Sequence, residues 1–184
     1  MRADKPMLIY VTDDDATGKL TRKLEDVVFA NEQLGIGTKF FDTIKVSAGN
    51  ALQDRMLKDA GKGTPRLIFM TRDYKVVAVH GKTKMTAGKV IKSMKRLAKM
   101  EYKSSFEKMV RSYTKLLNNL DRLEGKKAQI ADMRARLQNK PSASRAKKLE
   151  REEKKHQKEM DEWRAAEAKV LEFKSREPKK KPEA

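Results

Sequence analysis

Apolar positions in the first hundred residues come as short runs separated by turn residues, a pattern that alternates strands with helices. Met7-Leu-Ile-Tyr-Val11 is a continuous apolar run with β-branched and aromatic members, which predicts a strand buried on both faces. Thr12-Asp-Asp-Asp-Ala-Thr-Gly18 follows, rich in turn and cap residues. Leu20, Leu24, Val27, Val28, Ala30 and Leu34 then recur at helical spacing, with Gly35 and Gly37 read as the stop of that helix. Phe40, Phe41, Ile44 and Val46 predict a second strand, and Ala51, Leu52, Met56 and Leu57 a short helix ending near Gly61-Lys-Gly63. Leu67-Ile-Phe-Met70 and Val76-Val-Ala-Val79, joined by the turn Thr71-Arg-Asp-Tyr74 and closed by Gly81, predict a β-hairpin. Met85, Val90, Ile91, Met94 and Leu97 mark an amphipathic helix. The order is βαβαββα over residues 1–97. Two βαβ crossovers are expected to give parallel strands with helices on both faces, and the hairpin to add antiparallel ones.

The pattern changes at about Ala98. From there to Gln138 the chain has no proline and one glycine, and Phe106, Met109, Tyr113, Leu116, Leu120, Leu123, Ile130 and Leu137 recur at intervals mainly of three and four. That is the seam of a coiled coil. Asn139-Lys-Pro-Ser-Ala-Ser144 reads as a turn, and a second run carries Leu149, His156, Met160, Trp163, Ala166, Val170 and Phe173. Folding back about the turn pairs residues whose numbers sum to roughly 279: Ile130 with Leu149, Leu123 with His156, Leu120 with Met160, Leu116 with Trp163, Tyr113 with Ala166, Met109 with Val170 and Phe106 with Phe173. Apolar positions match throughout, so residues 98–176 are expected to form an antiparallel helical hairpin within one chain. The seam thins where Gly125-Lys-Lys127 and Glu152-Glu153 interrupt it. Residues 177–184, with Lys179, Lys180 and Lys181, are expected to be a disordered basic tail.

Composition excludes several chemistries. The chain has no cysteine, hence no disulfide, no thiolate nucleophile and no cysteine-ligated metal. Its two histidines, His80 and His156, lie far apart and are expected to be structural. No apolar run approaches the ~20 residues that span a membrane. The five apolar residues Met7 to Val11 fall short of the roughly 7–15 of a secretory signal. A cytoplasmic protein without a membrane partner is expected. The net charge of +18 is shared between residues 1–97 (19 Lys/Arg against 11 Asp/Glu) and 98–184 (25 against 15), and it favours anionic partners.

The element order, the Thr64-Pro65 that enters the third strand, the stretch Gly63-Thr-Pro-Arg-Leu-Ile-Phe-Met70 and the hairpin closed by Val76-Val-Ala-Val-His-Gly81 together resemble the thioredoxin fold over about residues 5–98. The resemblance implies that the Thr64–Pro65 bond is cis and faces the start of the first helix across a groove. The family's Cys-x-x-Cys motif would fall there, on Asp15, Ala16, Thr17 and Gly18, and neither cysteine is present. Thiol–disulfide exchange needs a thiolate, so no oxidoreductase or isomerase activity of that kind is expected.

The candidate groove comprises Asp13, Asp14, Asp15, Thr64, Pro65 and Arg66. The aspartates suit a helix N-terminus, where carboxylates accept from unpaired N–H groups, or an acidic patch for a basic partner, with Arg66 placed to pair with them. No loop of calcium-binding spacing surrounds them, and Gly18-Lys19 lacks the rest of a phosphate loop; neither metal nor cofactor is expected. Candidate anion or nucleic-acid contacts are Lys84, Lys89, Lys92, Lys95 and Arg96, the tail lysines 179–181, and Arg72 with Lys75 in the hairpin turn. The sequence reads as a non-catalytic adaptor for a protein partner. The alternative is an RNA- or ribosome-associated protein that contacts phosphates through its helical arm and tail.

Overall fold

Central burial sets the architecture. In the computed structural model, which describes residues 3–13, 25–81, 85–172 and 176, every residue of β1 (Met7–Thr12) and of β3 (Arg66–Met70) is buried. These two strands occupy the middle of a four-stranded sheet of order β2-β1-β3-β4, with β2 (Asp42–Ser47) and β4 (Val76–Gly81) at its exposed edges. Side chains alternate across a strand. Met7, Ile9, Val11, Ile68 and Met70 therefore share one face, where Ala51 and Leu57 join them in a core cluster. The other face carries Leu8, Tyr10, Leu67 and Phe69.

Two compact units make up the chain: Met1–Val110 with Phe173–Ala184, and Arg111–Glu172. In the first, β1 is followed, beyond residues 14–24 that lie outside the described set, by a π-helical turn at Glu25–Phe29 and by α1 (Glu32–Thr38). The predicted helical positions Leu20 and Leu24 fall among the undescribed residues. Asn31 caps α1, its side chain accepting from the Leu34 N–H. Gly35 and Gly37 do not stop this helix; both lie inside it. Gly37 is there for proximity: a Cβ on it would stand 2.6 Å from Phe106 Cζ and 2.9 Å from Met94 Cε.

β1 and β2 are parallel, from Met7↔Asp42 to Thr12↔Ser47, as a βαβ unit requires. The second connection departs from expectation: β3 runs antiparallel to β1, with Val11 opposite Arg66. Ser47 and Arg66 thus lie at the same end of the strands, and the link between them leaves and returns without traversing the sheet. Two short helices, α2 (Ala48–Gln53) and α3 (Arg55–Asp59), make that link and break at Asp54, which caps the second. At 1.5 Å per residue the longer is about 9 Å, too short to carry the chain along a strand for a parallel return. Leu52 and Met56 of this link are exposed. Hairpin β3–β4 turns on Thr71, whose carbonyl accepts from Tyr74 N–H and whose hydroxyl accepts from Lys75 N–H.

After α4 (Ala87–Glu101) the helix breaks at residues 102–105, which the sequence reading ran through as continuous. Tyr102 turns inward and donates to the Phe40 carbonyl at 2.6 Å, and Ser105 accepts from the Lys108 N–H as the next helix starts. Phe106, predicted for the coiled-coil seam opposite Phe173, instead belongs to the first unit: its ring is buried against Gly37 and tilted 35° to Phe41. Phe173 lies outside the described residues. Arg72 and Glu101 form a buried ion pair at 2.8 Å, and backbone groups of Arg176 join it: the Arg176 N–H donates to the Glu101 carbonyl at 2.8 Å, and its carbonyl accepts from Arg72 at 3.1 Å.

The second unit pairs the greater part of α5 (Phe106–Asn139) with α6 (Ala143–Leu171). Polar side chains stitch it, among them ion pairs of Lys126 with Glu159 and Arg134 with Glu153. Trp163 Nε1 donates to the Leu116 carbonyl at 2.8 Å, His156 Nε2 sits 3.1 Å from the Leu123 carbonyl, and the Tyr113 hydroxyl donates to Glu167 at 2.6 Å. The first two are pairs of the predicted register. The third reaches one residue beyond Ala166. Leu123, Leu149 and Trp163 are buried. No described helix is long and apolar enough to cross a membrane.

Candidate functional site

The antiparallel register that closes at Val11↔Arg66 makes neighbours of the residues just beyond β1 and those just before β3. Asp13 therefore lies beside Thr64, whose hydroxyl donates to the Asp13 carboxylate. The Thr64–Pro65 bond is cis. Both Asp13 and Thr64 are half-buried, whereas Pro65 is buried. Asp14 and Asp15 lie outside the described residues.

Arg66 occupies a different role from the expected one. Its guanidinium is buried on the Leu57 side of the sheet and donates to the carbonyls of Gly63 at 3.0 Å and Leu57 at 3.1 Å. Burial lowers its pKa from the ordinary value. It braces the link that delivers Thr64 and Pro65 to the start of β3, so it positions the site rather than offering charge to a partner. Among the described residues, what remains is one carboxylate accepting a hydroxyl, an exposed Gly63 and the backbone on either side of Pro65. No cluster of three or more His, Asp or Glu that could hold a metal ion occurs among the described residues.

The basic candidates separate. Lys84 and the tail residues Lys179, Lys180 and Lys181 lie outside the described residues. Lys89, Lys92 and Arg96 are exposed along α4. Lys95 pairs with Glu107 at 2.8 Å, and that bond holds the Glu107 carboxyl below the usual range. Arg72 is spent on Glu101 in the interior and cannot meet a phosphate at the surface. His80 bonds Ser93 at 2.8 Å, and burial, with nearby Lys89, lowers its pKa.

No family model and no curated protein matches the chain. Among solved structures it is similar to one described as DsbH Oxidoreductase, at 14% identity and a TM-score of 0.41, covering 52% of this chain and 74% of that one.

Two features escaped the sequence reading. One is a concavity of about 270 Å³ on the Leu8 and Tyr10 face of the sheet, bounded by Phe29, Leu34, Ile44 and Val90. Its walls come from elements far apart in sequence, so no local pattern announces it. The other is an uneven distribution of charge along the hairpin. Residues 126–155, around the turn, hold eleven Lys/Arg against four Asp/Glu, whereas residues 111–125 and 156–172 together hold six against seven.

Proposed function

We propose that residues 3–110 form a thioredoxin-like domain without catalytic thiols that serves as a binding module for extended peptide or protein segments, the helical hairpin acting as a second recognition element. The reading rests on one arrangement: a β2-β1-β3-β4 sheet in which β3 alone runs antiparallel to the other three strands, entered by a cis-proline whose threonine bonds Asp13 just past β1, in a chain that has no cysteine. With no thiol available, the groove retains what recognition needs: exposed backbone at Gly63, where an added strand hydrogen-bonds, and a carboxylate edge for a basic side chain. The protein is then an adaptor and not an enzyme. A displayed library of unstructured peptides selected against the full chain tests this. Enriched peptides should shift the amide resonances of Asp13, Gly63 and Thr64, and Thr64→Val should weaken them. Selection of nothing, or of peptides that shift only the hairpin, overturns the groove reading.

A second reading, an RNA- or ribosome-associated protein, draws on the net charge of +18 and on its concentration at the hairpin turn.

A further inference from the structure

Most of the cations around the hairpin turn are not held by carboxylates. Three of the four acids in residues 126–155 are each engaged: Glu153 by Arg134 at 2.5 Å, Asp132 by Arg136 at 2.7 Å and Glu150 by Lys154 at 2.7 Å. Lys140, Arg145, Lys147, Lys148, Arg151 and Lys155 are exposed and have no ion-pair partner among the described residues. Lys148, Arg151 and Lys155 succeed one another at intervals of three and four along α6, so they share a face with about 5–6 Å between neighbouring Cβ atoms. Lys147 and Arg151 repeat the spacing beside them, and a shallow concavity is lined by Ala143, Ser144, Lys147, Lys148, Arg151 and one acid, Glu152.

Chemistry narrows the occupant. A protein interface needs a desolvated anchor, most often aromatic, at its centre. Residues 126–155 contain no Phe, Tyr or Trp, and the large exposed hydrophobic residues among those described all lie outside the hairpin. The same lack argues against insertion into a lipid surface and against stacking on the bases of a single strand. A row of exposed cations on one helix face, with no Phe, Tyr or Trp beside it to serve as an anchor, fits a regular array of phosphates.

We propose that the turn end of the helical hairpin binds the phosphate backbone of a nucleic-acid duplex, without reading its sequence, through Lys147, Lys148 and Arg151 with Lys140, Arg145 and Lys155 beside them. The proposal rests on the second reading above and narrows it to a surface. It is independent of the peptide groove.

The test is fluorescence anisotropy of the full chain with labelled 20-base-pair RNA and DNA duplexes, from 50 to 200 mM salt. Binding to either duplex should fall linearly on a log–log plot, and unrelated sequences should bind alike. Lys147→Gln/Lys148→Gln/Arg151→Gln should flatten the slope by about 2–3, each lost phosphate contact being worth about 0.9. Lys140→Gln/Arg145→Gln, which lies outside that face, should flatten it by about 1–2 on the same basis. The control Lys89→Gln/Lys92→Gln/Arg96→Gln on α4 removes as much charge as the first variant and should leave the slope unchanged. Binding to RNA but not DNA would assign the source of the phosphates to RNA and support the surface. Equal losses in the α4 control and the turn variants would overturn the surface and leave a nucleic-acid-associated protein. Polyglutamate displacing the duplex at equal charge would replace nucleic acid with an acidic protein face. No binding by the wild-type chain at 50 mM salt would end both this proposal and the reading beneath it.

Discussion

Phe106 packs its ring onto the place where Gly37 has no side chain. A methyl group there would stand 2.6 Å from Phe106 Cζ, closer than real Cβ contacts come, while the same addition at Gly35 meets nothing within 4 Å. Two glycines two residues apart in one helix should therefore respond with opposite sign. Gly37→Ala should destabilise the first unit by about 1–3 kcal/mol, the range for overpacking a full core. Gly35→Ala should stabilise it by about 0.5–1 kcal/mol, because alanine restrains the unfolded chain and favours the helix. Urea midpoints of the two variants decide the matter, and a shift of equal sign would mean that Phe106 does not seat on α1.

Arg72 and Glu101 form an ion pair with both side chains more than nine-tenths buried. Removing one partner leaves a buried charge uncompensated. Arg72→Met should cost about 3–5 kcal/mol, and so should Glu101→Gln, while the double variant should cost clearly less than their sum. A double-mutant cycle on denaturant midpoints measures the coupling. Additive losses would show that each group is satisfied by other neighbours.

Trp163 should be the chief packing anchor of the hairpin. Its ring is buried and its N–H is bonded across to Leu116. Trp163→Ala should cost about 3–5 kcal/mol of hairpin stability, and Trp163→Phe, which mainly loses the hydrogen bond, about 1 kcal/mol. Thermal loss of the helical signal is the readout, with amide exchange of β1 and β3 as the internal reference. If exchange in those strands rises as much as in the hairpin, the two units do not melt separately.

Alkaline pH should loosen the same hairpin. Burial and then the hydrogen bond to Glu167 push the Tyr113 phenol up to about 12 from its ordinary 10.0. The folded state holds that proton more tightly than the unfolded state does. The resulting stability is complete below pH 10 and is lost as pH rises from there through 12. Tyr113→Phe should remove this part of the alkaline transition. An identical transition in wild type and variant, followed by ellipticity at 222 nm and absorbance at 295 nm, would show the phenol to be exposed.

Periodicity carried much of the architecture. The register of the hairpin was legible because complementary seams about a Pro-Ser turn constrain one another, and Trp163 with Leu116 and His156 with Leu123 lie where that complementarity put them. The buried strands were legible because both faces need apolar residues. The direction of β3 was not, since it depends on where the link from β2 ends and not on the strand's own residues. Gly37 carried the same letter whether it ended a helix or made room for a ring. The break at residues 102–105 was hidden because Tyr102 and Phe106 continue an apolar spacing while turning into the first unit. At the candidate site, the nearness of Asp13 and Thr64 was what the family resemblance implied, whereas the partners of Arg66 are main-chain carbonyls, which no side-chain pattern reveals.

The backbone bond from Arg176 to Glu101, together with the bond from the Arg72 guanidinium to the Arg176 carbonyl, fastens the chain where it departs for the hairpin to the place where it comes back. In engineering terms residues 111–172 can be treated as a removable cassette, because the bonds that fasten Arg176 lie wholly within the first unit. Excising 111–172 and joining Val110 to Phe173 through a short Gly/Ser linker should leave a folded host, since a linker of a few residues costs little closure entropy. Persistence of the slow-exchanging amides of β1 and β3 in the excised protein is the observation to make. A cassette that can be removed can also be exchanged, and the same clamp would accept a hairpin of different length or charge.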